Sequence, residues 1–230
     1  AFRMLRTEGI LTRWGTLSAL LVAISWLASQ ASMAMAGGMG AIMALCFFAA
    51  AIMLGTLWFL ASSALWLAII AESSDGHDRL HSPPGANFYD WLGDAGFVFA
   101  SGVMSAIPAW LAWKFVPLDF EARYAVAAAV WLACLPVALL SALEQGSPLA
   151  IVSPRLCGTL VLRAGAWLAF YVQAAAIWIG AAALIQAAPS AALLLAPPLA
   201  VGASLAYFRL VGLLAWRLAE TTRPRDEDDN

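Results

Sequence analysis

The stretch that decides the fold covers residues 14–71, where the chain contains no Asp, Glu, Lys or Arg. It reads WGTLSALLVAISWLASQASMAMAGGMGAIMALCFFAAAIMLGTLWFLASSALWLAIIA. A helix crosses the roughly 30 Å hydrocarbon core of a bilayer with about 20 apolar residues, so this stretch is long enough for two crossings. Gly37, Gly38 and Gly40 favour a tight turn between them, because glycine adopts turn conformations at the least cost. The sequence therefore predicts transmembrane spans at about residues 13–35 and 41–71.

The rest of the chain repeats this pattern. Further segments nearly free of charge predict spans at about residues 95–113, 124–143, 160–185 and 191–218. A polar segment at residues 72–94 separates the second and third spans, and an acidic tail follows at residues 221–230. We interpret the first span as a retained helix, because its apolar stretch is longer than that of a secretory signal. Residues 1–220 are then one all-α domain, an integral membrane bundle of six transmembrane helices.

The composition agrees with a multi-pass membrane protein and excludes several other classes. Hydrophobic residues make up 63% of the 230 residues and charged residues only 11%, whereas soluble domains have about 25% charged residues. This composition excludes a soluble enzyme and a disordered protein. The formal net charge is −2, so the chain also lacks the basic face that nucleic-acid binding requires. Three cysteines form neither a disulfide framework nor a metal-ligand spacing.

The distribution of basic residues predicts the orientation in the membrane. Six spans place both termini on the same side, and Lys and Arg in short loops mark the cytoplasmic side. One side has Lys114 and Arg123. The other side has Arg3, Arg6, Arg13, Arg79, Arg155, Arg163, Arg217, Arg223 and Arg225. We therefore expect a protein of the cytoplasmic (inner) membrane with its N- and C-termini and both long polar loops in the cytoplasm.

The polar segment at residues 72–94 contains both histidines of the chain, His77 and His81, with Asp78 between them. Two imidazoles four residues apart on a helix can bind one divalent ion, and a carboxylate can complete the ligand set. Gly76 and the sequence SPPG at residues 82–85 argue against a regular helix there. His77, His81 and Asp78 are therefore candidate metal ligands, but a solvated cytoplasmic loop is the favoured interpretation.

One basic residue falls within a predicted span. Arg209 lies near the cytoplasmic end of the sixth span if that span starts at Ala191, and deeper if it starts at Pro197. In the deeper position it would be level with Gln173 of the fifth span. Charged residues inside a membrane often mark functional sites, so Arg209 and Gln173 are candidates for a polar intramembrane site. The favoured interpretation is an arginine that extends along its helix to reach the interface.

No motif in the chain indicates a reaction or a cofactor. No histidine lies in any predicted span, which argues against a haem with two histidine ligands in the membrane. The sequence contains no nucleophile–base pair, zinc-protease motif, phosphate-binding glycine loop or dinucleotide fingerprint. We therefore expect no catalytic residue, no bound cofactor and no enzymatic activity.

Three short motifs carry a family resemblance: DWLGD at residues 90–94, GSP at 146–148 with SPR at 153–155, and YFRL at 207–210. With this order of segments the chain resembles a loose group of uncharacterised bacterial multi-pass membrane proteins, distantly similar to the Yip1-like family. The resemblance implies a helical membrane fold. It implies no reaction and assigns no functional residue.

These observations predict a non-catalytic protein that acts through helix–helix contacts, as a scaffold or accessory subunit of a membrane assembly. Its expected partners are the lipid bilayer and other membrane subunits or further copies of itself, but not nucleic acid. The alternative is a small transporter or channel with a polar path near Arg209 and Gln173. A third interpretation, a membrane enzyme that uses the polar loop, requires a metal ion bound by His77 and His81.

Overall fold

The computed structural model describes residues 8–36, 40–77, 80–81, 84–85, 87–150 and 152–220. These residues form seven α-helices and a short 3-10 turn, and no described residue lies in a strand. The helices are α1 (Glu8–Ala36), α2 (Ala41–Ser74), α3 (Phe88–Phe115), α4 (Phe120–Gln145), α5 (Pro154–Leu162), α6 (Ala164–Ala187) and α7 (Ala192–Glu220). All except α5 are long and apolar enough to cross a membrane. This confirms the predicted all-α class and the six apolar helices.

Local sequence signals account for the helix ends. Gly40 has a φ of 90° just before α2 begins, and Gly146 has a φ of 62° just after α4 ends. Both values lie in the left-handed region that glycine adopts without a steric penalty. The side chains of Asn87, Asp119 and Ser153 cap α3, α4 and α5 by accepting hydrogen bonds from backbone N–H groups in the first turn.

The polar connection between the second and third long helices is shorter than residues 72–94. Helix α2 continues to Ser74, and α3 already begins at Phe88. The early start follows from the cap, because the Asn87 side chain accepts a hydrogen bond from the Tyr89 backbone N–H at 3.2 Å. Asp90 in the first turn also suits the positive end of the helix dipole.

The observed helices differ from the predicted spans in two further ways. Residues 154–162 form the separate short helix α5, which begins at Pro154 where proline needs no N–H partner. Helix α7 begins at Ala192 and contains Pro197 and Pro198 in its interior, so these prolines do not start the helix. The 3-10 turn at Pro189–Ala191 occupies the connection from α6.

The chain divides into two compact units. The first contains Ala1–Ala86 and Val172–Leu213, and α1 pairs with α2 there. The Trp58 indole N–H donates to the Leu17 carbonyl at 3.1 Å, and the Trp66 ring stacks on Phe208 at a centroid distance of 4.6 Å. The buried core of this unit includes Ile10, Leu65, Ile69, Leu205 and Val211.

The second unit contains Asn87–Tyr171 and Leu214–Asn230, and the α3–α4 pair is its main packing. Ser101, Ser105 and Ala109 recur at every fourth position of α3 and are buried, as expected for a face of small residues where helices approach closely. The Trp131 indole N–H of α4 donates to the Gly102 carbonyl of α3 at 2.9 Å. The pair is therefore joined by small-residue packing and by a polar contact.

Candidate functional site

The C-terminal end of α2 is built around Gly76, which has a φ of 78°. The Gly76 N–H donates to the Ser73 carbonyl at 3.2 Å, and the His77 N–H donates to the Glu72 carbonyl at 3.0 Å. These two bonds define a Schellman motif, in which a residue in the left-handed region turns the chain back over the last helical turn. The turn therefore brings His77 back beside Glu72.

Three polar side chains meet at this turn and form what we call the α2-end cluster: Glu72, His77 and His81. The Oε2 atom of Glu72 lies 3.2 Å from His77 Nδ1 and 3.3 Å from His81 Nδ1. Its other oxygen, Oε1, accepts a hydrogen bond from the His81 backbone N–H at 3.0 Å. The two imidazole rings are 4.9 Å apart, centroid to centroid. Both imidazoles therefore contact the same carboxylate.

The cluster has a buried side and an open side. The Glu72 side chain is only 11% exposed, whereas those of His77 and His81 are 52% and 61% exposed. A carboxylate taken out of water needs charged or hydrogen-bonding partners, and the backbone N–H of His81 supplies one. A solvated ion could approach from the histidine side.

The structure brings together two of the three candidate metal ligands. His77 and His81 follow the end of α2 and do not lie on a regular helix, yet both imidazoles reach the same oxygen atom. A regular helix is therefore not needed to bring the two imidazoles together, because the turn and Glu72 place them side by side. Asp78, the third candidate, lies outside the described residues.

Glu72 is the member of the cluster that the sequence interpretation missed, because it was assigned to the polar loop. A signal for it exists in the sequence. Gly76 follows an apolar helical stretch, and glycine is the residue type that most often ends a helix in the left-handed conformation. In that motif the residue after the glycine packs over the residue five positions earlier, which here pairs His77 with Glu72.

Arg209 lies against the same end of α2. Its residue exposure is 2%, and its Nη1 atom donates to Ser73 Oγ at 3.3 Å and to the His77 carbonyl at 3.5 Å. The guanidinium is therefore buried and does not extend to the surface as the favoured interpretation required. Its charge fixes the turn through Ser73 and the His77 backbone.

The close approach of α7 to α2 depends on Gly212. A Cβ at this position would lie 2.5 Å from the Ser73 Cβ and 2.7 Å from the Ile70 carbonyl oxygen, both too short for any side chain. Arg209 and Gly212 are three residues apart and so share one face of α7. Because Gly212 has no side chain, α7 can approach α2 closely enough for the long side chain of Arg209 to reach Ser73.

Gln173, the second candidate for an intramembrane site, has a different environment. It lies near the middle of α6 and its side chain is exposed, whereas Arg209 is buried. Among the residues that the structure describes, the Gln173 side chain forms no hydrogen bond. Its exposed neighbours at helical spacing are Ala176, Gly180 and Leu184. We call these four residues the α6 face.

Comparison with protein-family models, with curated proteins and with solved structures found no match. The resemblance to the Yip1-like family therefore stays a prediction. The candidate site stands on its own geometry: a carboxylate, two imidazoles, and a buried guanidinium beside the turn that holds them.

Proposed function

We propose that this chain is a non-catalytic multi-pass protein of the cytoplasmic membrane that acts through helix–helix contacts, as a scaffold or accessory subunit. The observation that carries the proposal is the exposed amide of Gln173 near the middle of an apolar 24-residue helix. In hydrocarbon a polar group without a partner is unfavourable. A helix of another subunit, or of a second copy, would supply the partner.

The surroundings of Gln173 suit such a contact. Ala176 and Gly180 are four residues apart and exposed, and a Cβ added at Gly180 would meet no atom within 4 Å. Small residues at this spacing let two helix backbones approach closely, so that dispersion contacts accumulate and an amide can reach across. Interhelical hydrogen bonds of this kind contribute about 0.6–2 kcal/mol in membranes.

The experiment purifies the full chain from native membranes in a mild detergent and identifies stoichiometric companions by mass spectrometry. Three variants are compared with the wild type: Gln173→Leu, Gly180→Leu and Gln186→Leu. Gln186 is the matched control, because it is an exposed glutamine near the end of the same helix. At that position water can solvate the amide.

We expect the wild-type chain to carry a stoichiometric companion or to self-associate. Gln173→Leu should weaken this association roughly fivefold, as the loss of about 1 kcal/mol predicts. Gly180→Leu should weaken it more, because leucine blocks the close approach. The control Gln186→Leu should behave as the wild type. A wild-type chain that is monomeric in native lipid would contradict the proposal, as would an assembly that both α6-face variants leave unchanged.

We further infer that the termini and the loops after α2 and α4 face the cytoplasm. The support is the excess of arginine on that side, nine residues against Lys114 and Arg123 on the other. An epitope inserted between α3 and α4 should be reached by antibody in spheroplasts, in which the outer face of the cytoplasmic membrane is accessible. One inserted between α4 and α5 should be reached only after the membrane is opened. The reverse pattern would refute this orientation.

One observation favours the alternative of a small transporter or channel, namely the burial of Arg209, since buried charges in membrane proteins often line transport paths. This alternative predicts that Arg209→Leu abolishes flux in proteoliposomes while the protein still assembles. If the wild-type protein assembles in proteoliposomes but shows no measurable flux of ions or small solutes, this alternative loses its support. The exposed position of Gln173 fits a contact with another helix better than a path shared with Arg209.

A further inference from the structure

We propose that Glu72, His77 and His81 form a three-ligand site for a divalent transition-metal ion of the zinc type. The inference goes beyond the proposed function, because assembly through α6 needs no metal. It rests on the α2-end cluster alone, whose three ligand atoms all lie within 4.8 Å of one another.

The two carboxylate–imidazole distances in the cluster match the ligand separations of a tetrahedral metal site, and a bound ion would draw together the three ligand atoms, which lie within 4.8 Å of one another. Zinc binds imidazole nitrogen at about 2.0–2.1 Å and carboxylate oxygen at about 2.0–2.2 Å, so in a tetrahedral site a nitrogen and an oxygen ligand are about 3.3–3.5 Å apart. Glu72 Oε2 lies 3.2 Å from one Nδ1 atom and 3.3 Å from the other. These are the edges that a bound ion requires between the carboxylate and each imidazole.

The ligand types select the class of ion. Two imidazoles and one carboxylate form a ligand set that zinc sites use when a fourth position is left for water. Calcium and magnesium prefer oxygen ligands. Two of the three ligand atoms here are nitrogens, so the cluster disfavours both of these ions. The histidines are more than half exposed, which leaves the fourth position open to solvent.

Backbone geometry holds the ligands in place before any ion binds. Glu72 lies in the last turn of α2, and the Schellman turn places His77 beside it. The backbone N–H of His81 donates to Glu72 Oε1, which orients the carboxylate so that Oε2 faces both imidazoles. Hydrogen bonds that orient a ligand in this way strengthen metal binding.

Among the described residues, Arg209 brings a positive charge to this turn. Its Nη1 contacts Ser73 Oγ and the His77 carbonyl at 3.3 and 3.5 Å. Both of these acceptors lie outside the set of ligand atoms. Arg209 is therefore a positioning residue, which holds the His77 backbone while the imidazole remains available to the ion.

A different account of the cluster needs no metal. The Nδ1 atoms of the two imidazoles would simply form hydrogen bonds with the Glu72 carboxylate. The two accounts differ in a measurable way. A metal site binds one Zn²⁺ per chain and gives bound Co²⁺ the absorption spectrum of tetrahedral coordination, whereas a cluster that holds no metal does neither.

The test uses the full chain with an affinity tag that contains no histidine, stripped of metal with a chelator and kept in mild detergent. Zn²⁺ affinity is measured by competition with a chromophoric chelator, and Co²⁺ is added separately for its visible spectrum. The variants are Glu72→Gln, His77→Ala and His81→Ala. The matched control is Asp75→Asn, an exposed carboxylate of the same turn that is not part of the cluster.

We expect one Zn²⁺ per chain and an intense tetrahedral Co²⁺ spectrum. Each ligand variant should lower the Zn²⁺ affinity by at least tenfold, since loss of an outer partner alone costs about 10–100-fold. The control should stay within about twofold of the wild type. Both histidines are exposed, so their variants are expected to keep the helical content and elution volume of the wild type even where Glu72→Gln disturbs the fold.

The proposal is overturned if the wild-type chain binds less than one equivalent of Zn²⁺. It is equally overturned if the histidine variants bind the ion as tightly as the wild type does. Neither result bears on assembly through the α6 face, which is measured by mass spectrometry on other variants. The two proposals can therefore fail separately.

Discussion

Gly212 of α7 lies so close to Ser73 of α2 that a Cβ at position 212 would come within 2.5 Å of the Ser73 Cβ. Three residues earlier on the same face of α7, Arg209 donates a hydrogen bond to the Ser73 hydroxyl at 3.3 Å. Ser73 is fully buried. The packing of one small residue against another thus determines where a buried charge lies, and the charge in turn holds the end of α2.

Replacing Gly212 with alanine should destabilise the protein. The added methyl group has no space and must push α7 away from Ser73 and Ile70, at a cost of about 1–3 kcal/mol for overpacking. The free energy of unfolding is measured by denaturant titration in micelles. Gly55→Ala in α2 is the control, because a Cβ there meets no atom within 4 Å. Equal stability of the Gly212 variant and the control would contradict this packing.

Replacing Arg209 with leucine should loosen the turn after α2. The variant removes the hydrogen bonds that the guanidinium donates to the His77 carbonyl and the Ser73 hydroxyl, and hydrogen bonds to a charged group contribute about 1.5–3 kcal/mol. Hydrogen exchange of the amides at residues 72–77 should then accelerate roughly tenfold.

Arg155→Leu serves as the control for Arg209→Leu. The Arg155 side chain is 85% exposed, and its Nη1 atom lies 3.7 Å from Glu144 Oε1. Exposed ion pairs of this kind contribute about 0–1 kcal/mol to stability. This variant should leave exchange at residues 72–77 unchanged. If both arginine variants behave alike, Arg209 does not hold the turn.

Replacing Gly76 with alanine should weaken both the turn and the proposed metal site. An alanine at a φ of 78° costs about 1–2 kcal/mol, because its Cβ approaches the following carbonyl oxygen. His77 then loses its position beside Glu72, and Zn²⁺ affinity should fall at least fivefold. Asparagine tolerates this conformation better, so Gly76→Asn should retain most of the affinity. A Gly76→Ala variant with wild-type stability would show that the turn does not require glycine.

Replacing Trp131 with phenylalanine should weaken the α3–α4 pair. Phenylalanine keeps an aromatic ring but loses the indole N–H that donates to the Gly102 carbonyl at 2.9 Å. Such a bond contributes about 0.5–1.5 kcal/mol, so the free energy of unfolding should fall by about 1 kcal/mol. Trp26→Phe at an exposed position on α1 is the control and should change stability by less than about 0.5 kcal/mol. Identical losses in the two variants would rule out a specific contribution of the hydrogen bond.

Much of the fold could be predicted because it depends on local sequence. The length of each charge-free segment indicates how many apolar helices the chain forms, since the bilayer sets the length of a span. The turn at Gly40 follows from the conformational freedom of glycine. The early start of α3 at Phe88 was missed because the segment before Ala95 is polar, and a side-chain cap at Asn87 outweighs that polarity.

The candidate site was only partly predictable. The sequence by itself indicated that His77 and His81 belong to one polar segment, and Gly76 contained the signal that pairs His77 with Glu72. Tertiary structure alone decided that Arg209 is buried against Ser73, and that Gln173 is exposed on α6. The reason is physical: helical periodicity gives the spacing of residues along one helix, but which face meets another helix depends on close packing between residues far apart in the chain, as at Gly212.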